Sequence, residues 1–146
     1  MEVKTMKKLE TIQKENLLND VFAIDEIGPG GANHAYTVYK HGSAKIDEDG
    51  RIYVEGQEKL WDTDNENIIG DIIFQTGPRK ESTSISGVLD SDLLEIVRDR
   101  LTSFQQGPFK CEENEEALKH VTEALEWMNK RVENRAKRGV LGTNKE

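Results

Sequence analysis

The feature that most constrains the fold is a pair of apolar stripes in the last third of the chain. Both repeat at the three- and four-residue spacing of an α-helix, and they comprise Leu94, Val97, Leu101 and Phe104, then Ala117, Val121, Ala124 or Leu125, Met128 and Val132. This spacing predicts two amphipathic helices. Because the link between them is short, we expect the helices to lie antiparallel as a hairpin.

Local signals predict where the two helices begin and end. Asp90 or Ser91 is expected to cap the first helix. Gly107-Pro108 is expected to end it, because glycine tolerates a left-handed cap and proline cannot continue the hydrogen-bond ladder. The second helix is expected to start within residues 112–114 and to close at Gly139, with acidic residues at its start and basic residues at its end.

The middle of the chain has a strand-like pattern. Runs at 36–39, 51–54 and 68–74 are rich in β-branched and aromatic residues, and Asp49-Gly50 is a strong hairpin-turn signal. Residues 1–20 resemble a charged lead-in, either frayed or a short helix, with a weak apolar stripe at Leu9, Ile12, Leu17 and Leu18. The sequence therefore predicts an α+β fold, with a small N-terminal antiparallel β-sheet followed by a C-terminal antiparallel two-helix hairpin.

We expect the domain boundary near residue 87. Residues 1–87 would form the β-rich segment with its lead-in, residues 88–146 the helical hairpin, and the two together one ligand-binding unit. Hydrophobic residues make up 35% of the 146 residues, so the core is modest. Two helices that cover only each other leave apolar surface over, and self-association is expected.

Charge limits the partners. The net charge of −8 argues against binding to DNA or RNA polymers, which need a basic face. From Lys130 to Arg138, however, the chain has five basic residues and one acidic residue. This local excess of positive charge could hold one small anion. No apolar run is long enough for a membrane span or a signal peptide, so no membrane partner is expected.

Residue types give no support to catalysis. The single cysteine, Cys111, excludes an intrachain disulfide and a cysteine-based zinc site, and it is expected to be buried or merely tolerated. The three histidines lack metal-ligand spacing, and no nucleophile–base set or carboxylate pair stands out. We therefore expect a non-enzyme without catalytic residues, metal or cofactor.

One constellation could bind a ligand. Arg131, Arg135 and Arg138 lie near the end of the second helix, and the first two are four residues apart on one face. Phe104 and Phe109 flank the hairpin turn, and Asn114 lies at the start of the second helix. Taken singly, Phe104 could be a core aromatic, Asn114 an N-cap, and the arginines a solvated helix end. Taken together, these residues could form a site in which arginines bind phosphate and an aromatic ring stacks on a base. In an antiparallel hairpin, Phe104 and Arg131 share a pocket only if two subunits meet or the second helix folds back, which favours a dimer interface.

The motifs also carry a family resemblance. FQQGPFKCEEN at 104–114, EALEWM at 123–128 and RAKRGVLGT at 135–143 resemble the helical hairpin shared by two phage anti-defence sponges, the Thoeris type and the anti-CBASS cyclic-nucleotide type. The β-rich segment before the hairpin is more similar to the Thoeris type, since the anti-CBASS sponge is nearly all helical.

This resemblance implies sequestration without chemistry. Such a protein would bind glycocyclic ADP-ribose, the signal made by Thoeris TIR enzymes, and hold it intact at a homodimer interface in the cytoplasm of the infected or lysogenic bacterial host. Assembly to hexamers and binding of CBASS cyclic trinucleotides at separate sites are further implications. The alternatives are a structural or host-protein-binding hairpin, or a hydrolase of the same signal.

The resemblance also implies site residues. Phe104 and Arg131 would sandwich the adenine, Arg135 would contact phosphate, Asn114 would hydrogen-bond the ligand, and Arg79 would add a second phosphate contact. The cyclic-trinucleotide site would lie in the tail, at Arg138, Gly142 and Thr143.

Overall fold

The computed structural model describes residues 6–54 and 66–146. The chain divides into two compact units, Met1–Thr76 and Gly77–Glu146. The described strands belong to the first and the two long helices to the second, so the fold is α+β, as the sequence predicts. The second unit includes the segment 77–87 as well as the hairpin. That both units form one ligand-binding unit stays a prediction.

The first unit is built from antiparallel strands. Within the described residues these are β1 (Lys7–Lys8), β2 (Asn19–Ala23), β3 (Ala35–Lys40), β4 (Ala44–Ile46), β5 (Ile52–Val54) and β6 (Ile68–Ile73). A sheet runs in the order β1-β2-β3-β6, and β4 pairs with β5 as a hairpin. Gly50, with φ of +78°, lies in that hairpin's turn and confirms the Asp49-Gly50 prediction.

The core of this unit is small and centres on one aromatic residue. Phe22 in β2 is fully buried and packs with Ala44 and Ile52 of the β4–β5 hairpin. Its ring meets that of Tyr39 edge to face, with centroids 5.4 Å apart. The hairpin therefore covers the sheet at Phe22, and few residues are left to form a larger core.

A buried carboxylate ties three strands together. The side chain of Asp20, 1% exposed, accepts hydrogen bonds from His41 Nδ1 and the Gly42 N–H, both at 2.8 Å, and lies 3.6 Å from Lys8 Nζ. Burial by itself would raise the pKa of this carboxyl. The Gly42 N–H, His41 and Lys8 together outweigh that effect and hold the pKa below its ordinary value.

The expected helical lead-in is wrong for the described part, residues 6–20. The chain there forms β1 and then enters β2, and the Leu9 N–H donates to the Val21 carbonyl at 2.9 Å. Ile12 and Leu18, part of the supposed helical stripe, are exposed. Strand pairing with β2 satisfies the backbone here, so the weak apolar spacing has no packing consequence.

The second unit contains α1 (Asp90–Gln105) and α2 (Glu112–Lys137), which pack against each other as the predicted hairpin. The expected cap of α1 is wrong. Its N-cap is Leu89 rather than Asp90 or Ser91. The Asp92 carboxylate reaches back to accept the Leu89 N–H at 2.8 Å, so an acid in the third helical position serves this helix end.

Helix ends within the hairpin follow two different rules. Gly107 does follow α1, but its φ is not in the left-handed region, so the proposed reason for its presence is wrong. Gly139, with φ of +70°, closes α2 as predicted. The Gly139 N–H donates to the Ala136 carbonyl at 3.1 Å and the Val140 N–H to the Arg135 carbonyl at 3.0 Å, the bond pair of a Schellman motif.

Packing within the hairpin is shallow. No residue of either helix is buried. The stripe residues Leu94, Leu101, Val121 and Met128 are half-buried, and several apolar side chains stay exposed, among them Ile96, Val97, Trp127 and Val132. In residues 6–54 and 66–146, no helix is both long and apolar enough to span a bilayer.

Candidate ligand-binding site

Helix lengths decide which predicted site residues meet in one chain. Asn114 lies in the first turn of α2, beside the hairpin turn, and Arg131 lies in its second half. At 1.5 Å rise per residue, the two are about 26 Å apart along the helix axis. A single hairpin therefore carries two separate clusters, one at each end of α2.

The cluster near the turn, here called the turn cluster, comprises Phe104 and Asn114. Phe104 is 36% exposed, and the Arg100 guanidinium carbon lies 5.4 Å from its ring centroid, in cation–π range. Asn114 is half-buried. Its side chain does not cap α2, because the Cys111 Sγ accepts the Asn114 N–H at 3.4 Å and takes that role. The carboxamide thus remains available to a ligand.

The cysteine at the turn is exposed, so the expectation of burial is wrong. It is the N-cap of α2. Its backbone is bound to the side chain of Gln105, whose amide donates to the Cys111 carbonyl at 3.1 Å and accepts the Cys111 N–H at 3.2 Å. These contacts give the FQQGPFKC motif a local structural role as a closed turn.

The second group, here called the tail cluster, comprises Arg79, Arg131 and Arg135. The segment carrying Arg79 is bound to the C-terminal tail, since the Lys80 N–H donates to the Gly142 carbonyl at 2.8 Å. Local bonds shape that segment: the Glu81 N–H donates to the Pro78 carbonyl at 3.0 Å, and the Ser84 hydroxyl donates to the same oxygen. Arg79 itself is exposed.

Arg135 connects α2 to the same tail. Its Nη2 donates to the carbonyls of Val140, Thr143 and Lys145 at 3.1, 3.2 and 2.9 Å. Arg131, one helical turn earlier on the same face, is exposed. Arg131 and Arg135 therefore lie at the end of α2 that meets the tail, and the backbone beside Arg79 is bound to that tail, whereas Phe104 and Asn114 lie at the other end of the hairpin.

The tail residues expected at a second site are engaged within the chain. The Thr143 hydroxyl donates to the Val140 carbonyl at 2.6 Å, Arg138 Nη2 donates to the Glu146 carbonyl, and Gly142 has φ of +76°. The tail is thus a hydrogen-bonded turn and not a frayed end. Its role in cyclic-trinucleotide binding stays a prediction.

Three residues that contact or position the two clusters were not identified from the sequence: Arg100, Gln105 and Lys80. Arg100 lies one turn before Phe104, so helical spacing could have found it. Gln105 bears no pattern that distinguishes it from any surface amide. Lys80 acts through its backbone on a residue far along the chain, for which no local signal exists. Within residues 6–54 and 66–146, no three metal-binding side chains lie close enough together to hold an ion.

Comparisons with known proteins match both the hairpin and the segment before it. The family model described as the Acb2/Tad1 hairpin domain matches residues 66–133, which span β6, α1 and most of α2. The chain is 36% identical over 114 residues to Thoeris anti-defense 1 of Bacillus phage SBSphiJ7, covering 77% of this chain and 80% of the relative. That length exceeds the hairpin, so the similarity extends into the β-rich unit.

Proposed function

The chain belongs to the phage Thoeris anti-defence sponge family, and on that premise we propose that it binds and sequesters glycocyclic ADP-ribose. It would act in the cytoplasm of the infected cell, where Thoeris TIR enzymes make this signal, and would keep the signal from its effector. No bond of the ligand is broken in this mechanism. The protein acts by affinity and stoichiometry.

The observation that carries the proposal is that the tail joins the end of α2, which carries Arg131 and Arg135, to the segment that carries Arg79. Arg131 and Arg135 share a helix face, and the Lys80–Gly142 bond holds the Arg79 segment to the tail that Arg135 also contacts. Guanidinium groups are strong donors to phosphate oxygens. Arg79 and Arg135 would contact the two phosphates of the ligand, against an otherwise acidic protein with a net charge of −8.

The base would be held by the turn cluster. Phe104 supplies a partly exposed ring, and Arg131 from the tail cluster supplies a planar cation to cover the other face of the adenine. Asn114 supplies a carboxamide that can both donate and accept.

The separation of the clusters indicates a homodimer. About 26 Å of helix lies between Asn114 and Arg131, too far for one small ligand to contact both in a single chain. A second copy related by a twofold axis would place its tail cluster against the turn cluster, giving two equivalent sites. Exposed Val97, Trp127 and Val132, on helices without a buried residue, provide apolar surface for such pairing.

Two finer proposals follow the family. Dimers would assemble further into hexamers. Cyclic trinucleotides of CBASS would bind at a separate site in the tail, at Arg138, Gly142 and Thr143. The tail turn presents the Arg138 side chain and the backbone around Gly142 from one short segment.

Binding calorimetry combined with recovery of the ligand tests the proposed function. The protein is titrated with glycocyclic ADP-ribose, the complex is denatured, and the released nucleotide is identified by chromatography and mass. We expect tight, stoichiometric binding and unchanged ligand. Recovery of linear ADP-ribose would favour a hydrolase instead, and absence of binding would favour the host-protein-binding hairpin.

Complementation tests whether the site is shared. Phe104→Leu damages the turn cluster and Arg135→Ala the tail cluster, so each variant alone should lose both sites of its dimer. When the two are co-expressed, half of the dimers are mixed and each has one intact site, so about a quarter of wild-type capacity should return. No recovery of capacity in the mixed sample contradicts a site formed by two chains.

A further inference from the structure

The C-terminal tail holds an arginine in place before any ligand is present. Arginine has several rotatable bonds, and ordering such a side chain on binding costs free energy. Here Nη2 of Arg135 is already held by the carbonyls of Val140, Thr143 and Lys145, and the side chain is half-buried. In the described part of the chain, Nε and Nη1 of Arg135 donate to no partner and remain for an oxyanion.

The tail that carries those carbonyls is itself held by backbone hydrogen bonds. At its start the Val140 N–H donates to the Arg135 carbonyl at 3.0 Å, which turns the chain back over the helix end. Further on, the Gly142 carbonyl accepts the Lys80 N–H at 2.8 Å. Just after Gly142, the Thr143 hydroxyl closes the turn with a 2.6 Å bond to the Val140 carbonyl.

Gly142 makes the contact with the Arg79 segment close. Its φ is +76°, and a Cβ added there would lie 3.0 Å from Cγ of Lys80. A side chain at position 142 would therefore strain the backbone and push on the stem of Lys80. The absence of a side chain lets two segments, 62 positions apart in the sequence, meet backbone to backbone.

We infer that the tail, residues 139–146, is a positioning element of the phosphate site, because it holds Arg135 through three carbonyls and the Arg79 segment through Lys80. This inference rests on the proposed function of Arg79 and Arg135 as phosphate contacts. The tail acts through the arginines and does not itself touch the phosphates. It holds the Arg135 side chain and the backbone beside Arg79, so the ligand has less of the phosphate site left to order.

A double-mutant cycle tests the inference with glycocyclic ADP-ribose as the probe. Deletion of residues 140–146 removes the carbonyls that hold Arg135. It should weaken binding about tenfold, the factor expected from leaving one rotamer-rich side chain to be ordered by the ligand. In an Arg135→Ala background the same deletion should cost less affinity, because only the anchor of the Arg79 segment is then left to lose. An equal loss in both backgrounds overturns the inference.

A second variant and a control keep the test independent of folding. Gly142→Val retains the whole tail but displaces its turn, and it should reproduce the loss. Lys145→Ala keeps every backbone carbonyl and should bind like wild type. Circular dichroism of each variant checks that the helices persist. If the deletion melts them, Gly142→Val decides, and wild-type affinity of that variant overturns the inference.

Nitrogen NMR gives a readout that needs no ligand. The Nη2–H resonances of Arg135, identified by their absence in Arg135→Ala, should exchange slowly with water in wild type and faster after tail deletion, because the tail carbonyls accept these hydrogens. Unchanged exchange overturns the inference. If wild-type protein fails to bind glycocyclic ADP-ribose, the proposed function fails instead. Loss of binding in Arg135→Ala but not on tail deletion leaves the function standing and removes the role of the tail.

Discussion

The side-chain amide of Gln105 forms a reciprocal pair of hydrogen bonds with the backbone of Cys111, at 3.1 and 3.2 Å. This pair spans the hairpin turn in the way that two backbone groups pair in a β-bridge. Phe104 is the neighbour of Gln105, and Asn114 follows Cys111 by three residues with its N–H on the cysteine sulfur. The pair therefore fixes the relative position of the two residues in the turn cluster.

Replacing that amide should loosen the turn. Gln105→Ala leaves the Cys111 N–H and carbonyl without their partner, and we expect a loss of about 1–2 kcal/mol in the free energy of unfolding. Gln106→Ala, at the adjacent exposed position, should stay within about 0.5 kcal/mol of wild type. Urea unfolding followed by circular dichroism measures both. Equal effects of the two changes would show that the amide pair contributes nothing.

The two glycines at the ends of the helices should differ in tolerance. Gly139→Ala places a Cβ at a φ of +70° and should cost about 1 kcal/mol or more. Gly107→Ala is the matched change at a glycine without positive φ, where the new Cβ would meet the Ser103 carbonyl oxygen at 3.7 Å, an ordinary contact. It should change stability by less than about 0.5 kcal/mol. Thermal melts of both variants compare the two losses of stability. A larger loss in Gly107→Ala than in Gly139→Ala would contradict this prediction.

The lowered pKa of Asp20 predicts that the β-rich unit loses stability as the solution becomes acidic. Its pKa is lowered in the folded chain, so it contributes stability at neutral pH. That contribution begins to fall near its unfolded pKa of about 4 and is lost as the pH drops through the lower folded value. Asp20→Asn should destabilise the unit at pH 7 by about 1–3 kcal/mol and flatten the dependence of its stability on pH below about 5.

Asp49→Asn is the control for that change. It lies in the exposed β4–β5 turn, where Asn-Gly serves as well as Asp-Gly. Denaturant unfolding across the same pH range should give wild-type behaviour for Asp49→Asn. If Asp20→Asn loses stability at acidic pH as wild type does, other carboxylates determine the pH dependence.

Arg131 should be required for ligand affinity and not for folding. Arg131→Ala removes a cation proposed to stack on the adenine, with an expected loss of about 1–3 kcal/mol in binding free energy. Arg131→Lys should recover only part of it, because an ammonium lacks the planar face. Arg98→Ala, an exposed arginine on α1 paired with Glu95 at 3.0 Å, is the control and should bind normally. Wild-type calorimetric affinity for Arg131→Ala would exclude it from the site.

Local signals explain how much of the fold was predictable. The Asp49-Gly50 turn, the start of α2 and its end at Gly139 depend on neighbouring residues, and the structure confirms all three. The two-residue strand β1 is held by pairing with β2 and has no pattern of its own. The cap of α1 depends on a side chain three positions inside the helix, and the apolar Leu89 gives no sign of it.

The candidate site, like the fold, has one part that local sequence signals predict and one part that they do not. Helical spacing alone places Arg131 beside Arg135 and separates both from Phe104. No spacing rule could join Arg79 to them, because the link runs through a backbone bond between Lys80 and Gly142. The family resemblance named Arg79, and the structure supplies the physical connection that brings its segment to the tail.

Native mass spectrometry with and without glycocyclic ADP-ribose reads subunit number, ligand number and ligand mass together, and so tests both the shared site and sequestration without chemistry. We expect an assembly of paired chains that takes up two ligands per dimer, each with the mass of the intact nucleotide. A monomer that binds one ligand would contradict the shared site. A bound ligand heavier by one water would contradict sequestration without chemistry.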